Sequence, residues 1–119
     1  MADELTVKAG LTYTVSGSTL SMTPADDKVT ISANYALRQI HTVTTVGENL
    51  PVGSVATPGF CLIRNTDGAN YILVGNSGDT LPIKIEAGEH VVFRWAAGIT
   101  PYAIANVANV DIEIMLVSD

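Results

Sequence analysis

Hydrophobic residues occupy every second position over long stretches of this chain. In residues 5–15 they alternate without interruption, at Leu5, Val7, Ala9, Leu11, Tyr13 and Val15. Successive side chains of a β-strand point to opposite faces, so a period of two predicts a strand or hairpin with one apolar face. Gly10 lies inside this run and indicates a bulge or a bend.

Turn signals divide the rest of the chain into short segments with breaks every 8 to 12 residues, a spacing typical of a β-sandwich or barrel. A helical turn competes with a strand only over residues 35–39, and the β-branched residues that follow favour the strand. The segment 47–59, with Pro51 and Pro58, reads as a long connection. We therefore predict an all-β fold in a single domain, residues 1–119: a two-sheet antiparallel sandwich, jelly-roll-like. The predicted strands after residue 15 are 19–23, 40–46, 59–64, 71–74, 81–85, 90–95, 102–105 and 110–117.

The composition favours a protein that associates with itself. Charged residues make up 15% of the chain, whereas about 25% is typical. Monomers seldom expose large apolar patches, so some of this surface is expected to be covered by further copies. The net charge of -6 disfavours nucleic acid and anionic membranes as partners, because both attract basic surfaces. No apolar run approaches the ~18 residues of a membrane span.

Residues that could carry chemistry are few, and we predict no enzyme, no cofactor and no metal site. His41 and His90 lie inside predicted strands with no nucleophile beside them. Cys61, the single cysteine, sits in an apolar segment and is interpreted as a buried hydrophobe. Asp111 and Glu113 share one side of the last strand, but no third acidic ligand accompanies them, so we interpret them as solvent-facing.

Trp95 and Tyr102 flank a loop, residues 96–101, that could present a stacking platform for sugars. The alternative is that Trp95 ends a core strand or anchors a contact between subunits, since aromatic residues are also enriched at interfaces. We favour the interpretation that Trp95 ends a core strand or anchors a contact between subunits.

Six short segments in the second half carry a resemblance to a known family. They are GFCLIRN (59–65), NYILVG (70–75), IKIEAGE (83–89), VFR (92–94), YAIA (102–105) and VDIEIM (110–115). Their order resembles the small β-sandwich virion proteins of tailed bacteriophages, in particular head decoration or cement proteins with a jelly-roll-like fold. The resemblance covers about half of the chain.

The resemblance implies a protein without catalytic activity that is made in the host cytoplasm and resides on the capsid exterior of the virion. It would bind the major capsid protein as a homotrimer and stiffen the shell. An alternative is a tail-associated receptor- or carbohydrate-binding module, for which an exposed Trp95 and Tyr102 would be diagnostic. The candidate subunit or capsid interface residues are Leu5, Val7, Leu11, Tyr13, Trp95, Ile99 and Tyr102.

Overall fold

A computed structural model describes residues 3–31 and 35–119. This part of the chain forms twelve β-strands that pair antiparallel, and it contains no helix. The predicted all-β class is confirmed. The chain divides into two compact units, Met1–Asn34 and Tyr35–Asp119. The prediction of one domain over residues 1–119 stays a prediction, and its test is given below.

The first unit is a hairpin that contains two successive ladders. Strand β1 (Asp3–Val7) pairs with β4 (Asp27–Ile31), and β2 (Leu11–Val15) pairs with β3 (Ser18–Met22). Three residues separate β1 from β2 and four separate β3 from β4, so the segment between β3 and β4 carries one extra residue. Gly10, where the sequence predicts a bulge or bend, lies in this interruption.

The turn at the tip of this hairpin has the backbone conformation that two-residue hairpins require. Ser16 and Gly17 both have positive φ angles, 49° and 79°. Two consecutive residues with positive φ are the mark of the type I′ turn, whose twist matches that of the flanking strands. The turn therefore fixes the register in which Val15 faces Ser18.

The second unit contains two four-stranded antiparallel sheets. The strand order in the first sheet is β10-β7-β12-β5, and in the second it is β6-β11-β8-β9. In chain order these strands are β5 (Ala36–Val43), β6 (Glu48–Asn49), β7 (Pro58–Asn65), β8 (Ile72–Asn76), β9 (Ile83–Ile85), β10 (His90–Arg94), β11 (Pro101–Ala105) and β12 (Val110–Ser118).

The core of this unit lies between the two sheets. Alternate residues of β12, from Val110 to Leu116, are buried, and the residues between them are at least partly exposed. Ile63 and Ile112 of the first sheet belong to the same buried cluster as Ile72 of the second. Two sheets that share one buried layer pack face to face, and the unit is a β-sandwich.

Strand boundaries differ from the prediction mainly at β5. The predicted strand 40–46 begins earlier, at Ala36, and ends at Val43. The reason is its partner, since β5 pairs with β12 residue by residue from Ala36 to Val43. The helical turn that competes over residues 35–39 does not form. The predicted strand 81–85 is shorter, Ile83–Ile85, and the connection 47–59 contains the two-residue strand β6.

Candidate interaction surfaces

One side of the β2–β3 ladder is apolar and largely exposed. We call it the hairpin face, and it consists of Leu11, Tyr13, Val15, Leu20 and Met22. Leu11 and Leu20 are each 77% exposed and Met22 is 70% exposed. Leu11 lies opposite Met22, and Tyr13 lies opposite Leu20. Residues 11–22 include no acidic, basic or histidine side chain.

The other side of the same ladder is polar, and its hydroxyl groups hydrogen-bond to one another within the hairpin. The Thr12 and Ser21 hydroxyls are 3.0 Å apart, and those of Thr14 and Thr19 are 3.1 Å apart. Such cross-strand hydroxyl pairs stabilise a ladder modestly. Polar and apolar side chains are thus segregated on a ribbon of only two strands, an arrangement that is marginally stable in water.

The β1–β4 ladder at the base of the hairpin is less exposed on its apolar side. Leu5 and Val7 are half-buried, and Leu5 lies opposite Val29. Lys28 pairs with Glu4 at 3.3 Å on the exposed side. Of the four interface residues predicted in this unit, Leu11 and Tyr13 are therefore the more accessible pair.

A second candidate surface covers the outer side of the β10-β7-β12-β5 sheet. All three arginines of the chain, Arg38, Arg64 and Arg94, are exposed there. Val92 and Met115 both lie opposite Leu62, so three apolar side chains form a row across three strands. We call this surface the arginine face, and it consists of Arg38, Phe60, Leu62, Arg64, Val92, Arg94 and Met115.

The three arginines have different surroundings. Arg38 Nη2 lies 2.9 Å from Glu113 Oε2, and the guanidinium of Arg94 lies 4.6 Å above the ring of Phe60. Arg64 makes no ion pair within residues 3–31 and 35–119. Arginine, methionine and aromatic residues are enriched in protein interfaces, whereas lysine is depleted. The seven residues of the arginine face have this composition, and Glu113, which pairs with Arg38 and lies opposite Arg64, is the carboxylate beside them.

Trp95 does not lie on a surface. It is 7% exposed, and its ring meets that of Phe93 edge to face with the centroids 4.7 Å apart. Ile99 packs against the same core, and Tyr102 is half-buried, with its hydroxyl 3.4 Å from the carbonyl oxygen of Val46. The structure therefore shows Trp95 as the core residue that the favoured interpretation allowed, its other role as an interface residue is corrected, and its ring offers no platform for sugars.

Cys61 is 1% exposed, and burial raises the pKa of its thiol to about 12. A contact with the Trp95 indole works slightly in the opposite direction, although the indole nitrogen has no partner of hydrogen-bond geometry among the described residues. The thiolate is the reactive form of cysteine. At neutral pH the side chain is therefore inert.

Two other residues weighed for chemistry, His41 and Asp111, lie close to polar side chains. His41 Nε2 lies 3.4 Å from Glu48 Oε2. Asp111 Oδ1 accepts a hydrogen bond of 2.6 Å from the Thr42 hydroxyl. No group of three or more His, Cys, Asp or Glu residues that could hold a metal ion occurs in the described ranges.

A shallow cavity of about 210 Å³ opens beside strands β8 and β11. The Lys84 ammonium lies 4.4 Å above the ring of Tyr71, which forms one wall. The lining has no carboxylate, thiol or imidazole, and its polar side chains are the Tyr71 phenol and the Asn106 amide. The lining residues are Tyr71, Leu73, Ile104, Ala105 and Asn106.

Pattern analysis did not single out the arginine face. Alternation along β7 and β12 puts Leu62 and Met115 on the outer side of their own strands. Only the register brings the two side chains together. The available signal is the placement of Arg64 and Arg94 at outward positions of predicted strands, whereas Arg38 precedes the predicted strand 40–46.

Comparisons with protein-family models, curated proteins and solved structures give no match to this chain. No helix within the described residues has the length and apolarity needed to cross a bilayer.

Proposed function

We propose that this chain is a structural protein of a bacteriophage virion that binds the outside of the assembled capsid and stabilises it. The sequence resemblance over residues 59–115 supports this role, and so does the layout of the second unit. Its first, third, sixth and eighth strands form one sheet, and the other four form the second. Jelly rolls consist of eight strands in two sheets, so we interpret this sandwich as a jelly roll.

The observation that carries the proposal is the arginine face. Arg64 is exposed without an ion-pair partner in the described part of the chain, beside the apolar row of Leu62, Val92 and Met115. A guanidinium can donate two parallel hydrogen bonds to a carboxylate of a partner protein. The apolar row would contribute roughly 25 cal/mol per Å² of apolar surface removed from water.

A modest contact of this kind suffices for a decoration protein. If several copies are joined, binding of one copy raises the effective concentration of the next, and the overall affinity exceeds that of each contact. The homotrimer implied by the family resemblance would act in this way. The chain itself would supply binding surface and rigidity, and no chemical step is required of it.

The test is co-sedimentation of the purified chain with capsids of the encoding phage assembled without it. We expect saturation at a fixed number of copies per capsid. Arg64→Glu should weaken binding by about 100-fold, because losing one central interface side chain costs at least 2 kcal/mol and here a charge is also reversed.

Lys84→Glu is the matched control, since it makes the same change of charge on the other sheet, where Lys84 pairs with Glu86 at 2.8 Å. It should bind like the unmodified chain. A chain that does not sediment with capsids would refute the proposal, and equal losses for the two variants would remove the arginine face from it.

A further inference from the structure

We propose that the hairpin face packs against the hairpin face of a second copy of this chain. The contact would join the β2–β3 ladders of two copies through Leu11, Tyr13, Val15, Leu20 and Met22. It goes beyond capsid binding, because it concerns a different surface and a partner that is present in any preparation of the protein.

The hairpin needs a second layer. The β2–β3 ladder has two strands of five residues, and no third strand within residues 3–31 and 35–119 pairs with it. Two-stranded hairpins are at best marginally stable in water, and they gain stability when a hydrophobic face is covered. Two such ladders stacked about 10 Å apart would give each apolar side the second layer that it lacks.

Charge favours a second copy as that layer. Each copy carries a net charge of -6, so a contact through neutral surface avoids placing the like charges of two copies close together. Residues 11–22 carry no charge. The nearest charged residues on either side of this segment, Lys8 and Asp26, form an ion pair at 2.6 Å. The copies can therefore approach at this ladder without bringing like charges into contact.

The arginine face is a less suitable partner for the hairpin face than a second hairpin face is. If the hairpin face covered it, Arg64 would lose water and gain no carboxylate partner, because the hairpin face has no carboxylate. Burying an unpaired charge is costly. Among the surfaces described here, an uncharged apolar face is matched best by another copy of itself.

The arrangement of side chains on the hairpin face is also self-complementary. Its central row pairs Tyr13 with Leu20. The row on one side is large, Leu11 with Met22, and the row toward the turn is smaller, Val15 with Ser18. A twofold axis between the two layers, running across the strands at the central row, places each large row over the small row of the other copy. Contacts of this isologous kind are the commonest in homo-oligomers.

The experiment measures the mass of the full chain in solution by sedimentation velocity over a range of concentrations. We expect an oligomer with an even number of copies, because a twofold contact joins copies or trimers in pairs. Leu20→Glu, in the centre of the hairpin face, should raise its dissociation constant by about 100-fold or more, as loss of a central interface residue does. Thr19→Glu places the same charge one residue away on the polar side, and it should leave the dissociation constant within about twofold, as at positions outside a contact.

A cross-linking measurement tests the geometry independently of stability. Tyr13→Cys should be joined between copies by a bismaleimide cross-linker whose span matches the ~10 Å spacing of the two layers, because the twofold axis places the two Tyr13 positions opposite each other. Thr14→Cys, on the polar side, should not. The native Cys61 is buried and does not compete.

A wild-type chain that is monomeric at about 100 μM would overturn the proposal, because a contact that weak reaches only millimolar affinity. An oligomer that Leu20→Glu leaves intact would also overturn it. Neither result depends on capsids, so failure here is distinguishable from failure of capsid binding.

Discussion

Asn65 is the fully buried side chain that holds two loops to the end of β7. Its Nδ2 donates to the carbonyl oxygens of Asn70 and Ile85, at 2.9 and 3.1 Å, and its Oδ1 accepts from the Asp67 amide at 2.9 Å. Asn65→Leu has a similar volume but no hydrogen-bonding group. Since an unsatisfied buried polar group costs about 1–3 kcal/mol, we expect the free energy of unfolding to fall by about 3 kcal/mol or more. Urea denaturation measures this change.

The matched control is Asn109→Leu, at an exposed position before β12. Substitutions at such surface sites usually change stability by less than about 0.5 kcal/mol. If the two variants have the same stability, the hydrogen bonds of Asn65 do not contribute as the geometry indicates.

Cys61 allows a test of burial through its protonation. Burial raises its pKa to about 12, from an ordinary value of 9.0. Between these pH values the unfolded chain releases the thiol proton and the folded chain keeps it, so the free energy of unfolding falls as the pH rises. We expect this part of the pH dependence to be absent in Cys61→Ala, which denaturation at several pH values from 8 to 12 would measure.

Thiol labelling gives a second readout for Cys61. The native chain should resist alkylation at pH 8 and react fully in denaturant, whereas a cysteine at the exposed position Thr80 should react at once in the folded protein. Rapid labelling of Cys61 in the native chain would contradict its placement in the core.

At the level of elements, hydrophobic periodicity is sufficient to place a strand whose apolar and polar residues alternate without interruption. The last strand was predicted as 110–117 and runs Val110–Ser118. Strand β5 was harder to place, because its start at Ala36 depends on pairing with β12 and not on its own residues. Local pattern specifies which face of a strand is apolar, but tertiary pairing decides where the strand begins and ends.

The candidate surfaces show the same difference between what local pattern specifies and what tertiary structure decides. Leu11 and Tyr13 were predicted as contact residues from alternation alone, and the structure leaves both exposed. A tryptophan next to a loop can face either way, which is why the sequence leaves both a core position and a contact position open for Trp95, and the structure shows the core position. The arginine face was missed because Leu62, Val92 and Met115 lie on three strands that only the sheet register aligns.

At the scale of the whole molecule, the second unit contains all that a β-sandwich requires. Every ladder of its two sheets and its entire core cluster lie within Tyr35–Asp119. We therefore expect residues 35–119 alone to unfold cooperatively, with a midpoint close to that of the full chain. Thermal denaturation followed by far-ultraviolet circular dichroism checks this.

Residues 1–34 alone should lack stable structure at low concentration, because their two-stranded ladders would have no covering layer. A fragment 35–119 that does not fold would instead favour the single domain predicted from the sequence over residues 1–119.

The uncharged stretch from Leu11 to Met22 bears on how an assembly of this protein would respond to salt. Added sodium chloride screens contacts made by arginine, since the Debye length falls from about 10 Å at 0.1 M to about 3 Å at 1 M. Sodium chloride has no charge to screen between two hairpin faces, and sulfate strengthens the burial of apolar surface. Rising ionic strength would therefore release the protein from its partner before its own copies separate, so the complex would come apart in a fixed order.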